Sequence, residues 1–145
     1  MSRLDRSKIL AMIPHAGAMC LLDEVLDWDA TSVRCLSQRF AAADNPLRRA
    51  DGTFGTACGI EIAAQAMAVH GRLTAPADGK PVPGYLVSLR DVHLARPSLD
   101  GAGPLTISAT RLLGDAGGAS YRFAVADQSE ELLTGRATVL FGAMP

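Results

Sequence analysis

The chain has 145 residues, of which 48 % are hydrophobic and 20 % charged, and its 14 basic against 15 acidic side chains leave a formal net charge of -1. That length suits one domain, residues 1–145, with roughly two-thirds of its unfolded surface buried, and the near-neutral balance argues against a nucleic-acid binder. No run approaches membrane-spanning length, Met1 to Ile13 lacks the apolar stretch of a secretory leader, and Cys20, Cys35 and Cys58 lack the spacing of a disulfide framework or a zinc knuckle, so a cytoplasmic protein with reduced thiols and no metal is expected.

In chain order, Asp5 to Met12 reads as a short helix anchored by Leu4, Ile9, Met12 and Ile13 and stopped near Pro14. Leu21 to Trp28 and Ser32 to Phe40 carry strand-like runs around the turn Asp27 to Thr31, which predicts a hairpin. Ala41 to Gly55 is a polar loop of turn formers, holding Asp44-Asn45-Pro46-Leu47-Arg48-Arg49 and Asp51-Gly52. It feeds a helix predicted over Ala57 to Arg72, with Thr56 as its cap and Gly71 close to its end.

That helix is the most informative part of the chain. Gly59-Ile60-Glu61-Ile62-Ala63-Ala64-Gln65-Ala66-Met67-Ala68-Val69-His70 contains good helix formers and no proline, and its small side chains let a sheet approach closely. Glu61 is then enclosed in the first turn, where an unpaired carboxylate costs several kcal/mol and where functional acids concentrate. The alternative is an acid placed there only for the helix dipole. Gln65, at i+4, can orient Glu61 or serve as an ordinary packing amide.

Pro76 to Gly84 reads as a surface connection. After it come strand-like runs at Tyr85 to Arg96, Leu105 to Leu113, Tyr121 to Asp127 and Leu132 to Phe141, the first shifting phase at a bulge near Arg90-Asp91. Asp115-Ala116-Gly117-Gly118 and Gln128-Ser129-Glu130-Glu131 separate the last three, which predicts an antiparallel meander. A hairpin, one long alanine-rich helix and a meander give an α+β class, with a curved antiparallel sheet wrapped around a central helix.

Three segments resemble the hotdog-fold 3-hydroxyacyl-acyl-carrier-protein dehydratases. Ile13-Pro14-His15, followed by Leu21-Leu22-Asp23-Glu24-Val25, is similar to the family's Leu-Pro-His and apolar-apolar-Asp-x-Val opening. Ile60-Glu61-Ile62-Ala63-Ala64-Gln65 looks like the start of its central helix, and Leu94-Ala95-Arg96-Pro97-Ser98-Leu99-Asp100-Gly101 like its strand ending in Arg-Pro and a turn. The helix also resembles the divergent branch associated with aryl polyene lipids.

The resemblance implies a hotdog fold acting on an acyl thioester, carried by the phosphopantetheine of an acyl carrier protein or by coenzyme A, in a tunnel at the interface of a homodimer or a hotdog heterodimer, without a cofactor. Amides of Gly55, Thr56, Ala57, Cys58 and Gly59 would receive the thioester carbonyl, Glu61 would be the acid, and Asp44, Asn45 and Gln65 would line the substrate. The histidine that acts as base in better-known members lies in a Gly-His-Phe-Pro loop before the helix; here no histidine stands between His15 and His70. His70 lies nine residues after Glu61, on the far side of the helix, and suits capping of its C-terminal carbonyls; His93 suits a strand surface. His15 is left as the candidate base, with a structural hydrogen bond as its rival role. Thioester hydrolysis through Asp44 or Glu61, and a non-catalytic subunit paired with a catalytic hotdog chain, are the alternatives. Arg48, Arg49, Arg90 and Arg96 would form a positive rim for an acidic carrier.

Overall fold

The computed structural model describes residues 3–13, 19–75, 84–115 and 117–141. A two-residue strand β1 (Leu4–Asp5) leads into α1 (Arg6–Met12), whose N-terminus is capped by the Asp5 carboxylate accepting the Lys8 amide. β2 (Glu24–Trp28) and β3 (Ser32–Ser37) form the expected hairpin. The long helix α2 (Gly59–Thr74) follows, then β4 (Gly84–Leu94), β5 (Leu105–Gly114), β6 (Gly118–Ala126) and β7 (Glu131–Phe141). The strands make one seven-stranded sheet in the order β1-β2-β3-β5-β6-β7-β4, with every pairing antiparallel.

α2 packs on β3, β5 and β6 through Ile62, Ala63, Ala66, Met67 and Val69, all buried. Its first residue is a glycine because the sheet comes that close: a Cβ on Gly59 would stand 2.9 Å from Leu133 Cδ2. The α+β architecture, the four strands after the helix and the meander β5-β6-β7 all appear as the pattern predicts. The bulge does too: pairing with β7 shifts register between Arg90 and His93, where Asp91 adopts φ 53.

Element ends differ from expectation for local reasons. Leu21 and Leu22 are buried, yet β2 begins only at Glu24, because the Leu21 amide bonds to a helix side chain instead of a strand. β3 stops at Ser37 instead of reaching Phe40. The Asp23 carboxylate accepts the Gln38 and Arg39 amides at 2.6 and 3.0 Å and pairs with the Arg39 guanidinium, turning the chain into a 3-10 turn over Arg39–Ala41. α2 runs over Gly59–Thr74 instead of Ala57 to Arg72, and Gly71, close to its end as expected, faces the Phe141 ring.

His70 is another correction. It does not cap carbonyls but is fully buried, with Nδ1 2.7 Å from the Tyr121 hydroxyl and Nε2 2.9 Å from the Asp29 carbonyl oxygen. The carbonyl can only accept, so Nε2 carries the proton and Nδ1 accepts from Tyr121. Burial holds His70 below its usual pKa and pushes Tyr121 up to about 12. No described helix is long and apolar enough to cross a membrane.

Candidate functional site

The N-terminus of α2 is built by three converging segments. A 3-10 turn over Thr56–Cys58 runs directly into the helix. Thr56 does not cap it: its hydroxyl donates to the Arg96 carbonyl at 2.5 Å and its amide to the Pro97 carbonyl at 3.0 Å, binding the turn to the Arg-Pro segment beyond β4. The Cys58 amide bonds to Gly55, and the Gly59 amide to Thr56 and Ala57. Of the expected row of open amides, those of Thr56, Cys58 and Gly59 are therefore taken, and Gly55 is buried. Ala57 is exposed, and its N–H meets no acceptor among the described residues.

Glu61 stands in the first full turn of α2 and is half-buried in this chain, not enclosed as expected. Gln65 is fully buried one turn further on. Its Oε1 accepts the Leu21 amide at 2.9 Å and its Nε2 donates to the Met19 carbonyl at 2.8 Å, with Glu61 Oε1 at a longer 3.4 Å. Gln65 thus fixes the 19–21 segment against the helix beside Glu61. His15 lies outside the described residues, four positions before Met19.

The loop before the helix is held by Arg48, Asp100 and Asn45. Arg48 is not on a positive rim: its guanidinium bonds the carbonyls of Ala41, Ala42 and Gly52 and the Asp100 carboxylate, 2.8 Å away. Asp100 also accepts the Phe54 amide and the Ser98 hydroxyl. Arg48 first, then Phe54 and Ser98, hold the Asp100 carboxyl down at about 2. Asn45 is buried with both ends of its amide engaged by the loop, donating to Phe40 O and accepting from Leu47 N. This leaves it as a clamp and not an open substrate contact. Asp44 is exposed beside it.

The other expected rim arginines do not gather either. Arg49 lies over Gly55, where a Cβ would come within 2.7 Å of its guanidinium. Arg96 donates through Nε to Ser98 O, and Arg90 sits on β4 opposite Arg136. Cys58 Sγ reaches Leu47 O at 3.8 Å, tying the loop to the turn, while the buried Cys35 thiol is pushed up to about 12 and is inert. Asp23 and Asp100 stand in the sequence only as members of motifs, with no role of their own assigned; the turn expected at Asp100-Gly101 is present, with Gly101 at φ 82.

The site therefore offers a carboxylate at a helix N-terminus, an open amide on the exposed Ala57 of an otherwise covered turn, and a rigid support. A family model described as ApeP dehydratase matches residues 7–143. Among solved structures, the dehydratase heterocomplex ApeI:P from Xenorhabdus doucetiae is similar, with 25% identity and a TM-score of 0.79 over 93% of this chain and 91% of that one. A thioesterase from Pseudomonas aeruginosa (11% identity, TM-score 0.67, covering 97% and 96%) and one from Haemophilus influenzae (10%, 0.67, 95% and 90%) share the fold. Among curated proteins none matches the chain in sequence.

Proposed function

Because this chain belongs to the ApeP-like dehydratase family, we propose that it removes water from a 3-hydroxyacyl thioester, on a carrier protein or coenzyme A, at the N-terminus of α2. It is a hotdog dehydratase, a lyase. The observation that carries the site assignment is the pairing of Glu61 with an open amide on Ala57 at the start of one helix.

In this reading the thioester carbonyl oxygen accepts the Ala57 N–H, and the helix N-terminus stabilises the charge that develops on it. A base removes a C2 proton and the C–H electron pair becomes the enolate. The enolate then collapses to the C2=C3 double bond while the C3–O bond breaks, and protonated Glu61 donates its proton to the departing hydroxyl, which leaves as water. His15 is the base we assign, on its place in the sequence before the segment that Gln65 holds beside Glu61. Gln65 positions the acid, Gly55, Thr56, Cys58 and Gly59 shape the turn, Asn45 clamps the loop, and the exposed Asp44 borders the substrate.

β4 supports the partner half of the reading. It is the last strand of the sheet, and Leu86, Leu89 and Leu94, opposite the inward-facing Val139, Ala137 and Leu133, stay 39–40 % exposed on the concave face. An edge with open backbone groups and an apolar face is suited to a second hotdog chain, like or unlike, with the acyl group between them. We take residues 1–145 as one hotdog unit, supported by the family match over residues 7–143.

Product analysis tests this. The protein is incubated with 3-hydroxyacyl thioesters of carrier protein and of coenzyme A, alone and with a co-expressed hotdog chain. A product lighter by one water with the thioester intact is expected. Free acid and thiol would make it a thioesterase, and turnover that follows only the partner's own catalytic residues would make it a binding subunit.

A further inference from the structure

Cys20, Leu21 and Leu22, just before β2, are buried without belonging to a strand. A buried backbone outside a sheet has to find its hydrogen bonds elsewhere. Here side chains supply them. Arg6, the first residue of α1, donates through Nη1 to the carbonyls of Cys20 and Leu22, both at 2.8 Å. The buried Ser37 hydroxyl, at the end of β3, donates to the Leu21 carbonyl at 2.6 Å, and Gln65 of α2 takes the Met19 carbonyl and the Leu21 amide. Four consecutive carbonyls, Met19 to Leu22, are thus each held by a side chain from one of three elements.

That backbone dictates how the Gln65 amide lies. The Leu21 N–H can only donate and the Met19 oxygen can only accept, so Oε1 faces the first and Nε2 the second. Nε2 has a second hydrogen, which meets Glu61 Oε1 at 3.4 Å. With Oε1 accepting, the proton of the acid form sits on Oε2. Arg48 and Arg111 also bond carbonyls, but those belong to the loop before α2 and to the β2–β3 turn. The carbonyls under Arg6 flank the Leu21 amide that fixes Gln65.

We propose that Arg6 is a positioning residue for the dehydration. Through the backbone of residues 20–22 it sets the Gln65 amide, and through that amide the Glu61 oxygen that gives its proton to the departing hydroxyl. A guanidinium suits this task because its charge strengthens both bonds, and one nitrogen bridging carbonyls two residues apart fixes the backbone between them. Ser37 is a second grip on the same backbone. The proposal rests on the reading of Glu61 as the acid and adds what holds that acid in place.

The test measures kcat and KM on a 3-hydroxyacyl pantetheine thioester for the full chain and for Arg6→Gln, Arg6→Lys and Ser37→Ala, each also in a Gln65→Ala background. Rates are referred to the folded fraction from circular dichroism, and Arg34→Gln, which breaks an exposed pair with Asp27, is the control. Arg6→Gln is expected to lower kcat about tenfold and to leave KM within about twofold. Ser37→Ala does the same more weakly and reads the same grip if Arg6→Gln does not fold. Arg6→Lys recovers much of the rate, because one ammonium can still bridge two carbonyls. In the Gln65→Ala background the Arg6→Gln loss shrinks to less than about twofold, since the route to Glu61 is already cut. An equal fold-loss in both backgrounds, a change confined to KM, or a loss no larger than that of Arg34→Gln overturns the proposal and leaves dehydration standing. If the wild type turns over no thioester, the dehydration reading fails instead. Exchange of the Gln65 side-chain amide protons, followed by NMR, then decides the positioning: it is sustained if Arg6→Gln quickens exchange and Arg34→Gln does not, and overturned if all three proteins exchange alike.

Discussion

The side-chain carbonyl of Gln65 accepts the backbone amide of Leu21 at 2.9 Å, across 44 residues of sequence, and so joins the segment before β2 to the helix turn that carries Glu61. The same amide group donates to the Met19 carbonyl, so both of its ends are used by the backbone of the 19–21 segment. Gln65→Ala leaves the Leu21 N–H and the Met19 carbonyl unpaired and is expected to cost about 1–3 kcal/mol. Denaturant unfolding measures it. Gln65→Glu keeps the acceptor and turns the donor into a second acceptor facing Met19, so it also destabilises.

His70 makes stability depend on pH with a defined sign. Its folded pKa lies below the ordinary 6.5 because burial disfavours the imidazolium. The unfolded chain therefore takes up the proton first as pH falls, and the stability tied to neutral His70 is lost from about pH 7 downward until the folded pKa is passed. In His70→Gln that part of the slope disappears. Melting temperatures of the two proteins across this range show it; parallel slopes would contradict the assignment.

Asp100 works at a lower pH. Its carboxyl is held at about 2 by Arg48, Phe54 and Ser98 against an ordinary 3.8. A depressed carboxylate contributes stability above its unfolded pKa and loses it as pH falls through the interval down to the folded one. Asp100→Asn removes that acid-side dependence and releases the Arg48 clasp at all pH values. Limited proteolysis within 42–55 is expected to quicken in the variant.

Gly135 is tight against its neighbours on the concave face. A Cβ there would stand 2.8 Å from Phe123 Cζ and 3.2 Å from Val92 Cγ2, and the Phe123 ring is buried. Gly135→Ala should destabilise by about 1–3 kcal/mol through overpacking. Phe123→Leu in the same chain should recover part of that loss, so the double-mutant cycle shows coupling between the two positions.

The sheet, its meander and the bulge at Asp91 were legible in the sequence because period-two alternation and turn residues act locally. The helix was legible as well, in its run of alanines around Glu61. What stayed hidden depends on distant partners. Thr56 looks like a cap, but the Arg96 carbonyl takes its hydroxyl from 40 residues away. His70 looks like a C-terminal histidine until Asp29 and Tyr121 are brought beneath it. Arg48 and Arg90, read together as a rim, part company because one closes a loop and the other sits on a strand facing Arg136. Placement of Glu61 beside Gln65 followed from i+4 spacing; the grip of Gln65 on Met19 and Leu21 did not, since no local pattern encodes it.

The most direct measurement is the rate at which purified wild type and Glu61→Gln form the conjugated 2-enoyl thioester from a 3-hydroxyacyl thioester, followed by ultraviolet absorbance. Glutamine keeps the size and hydrogen-bonding reach of the side chain but has no proton to give. The account predicts a fall of about a hundredfold or more with folding unchanged. A Glu61→Gln protein as fast as the wild type would contradict the assignment of Glu61 as the acid.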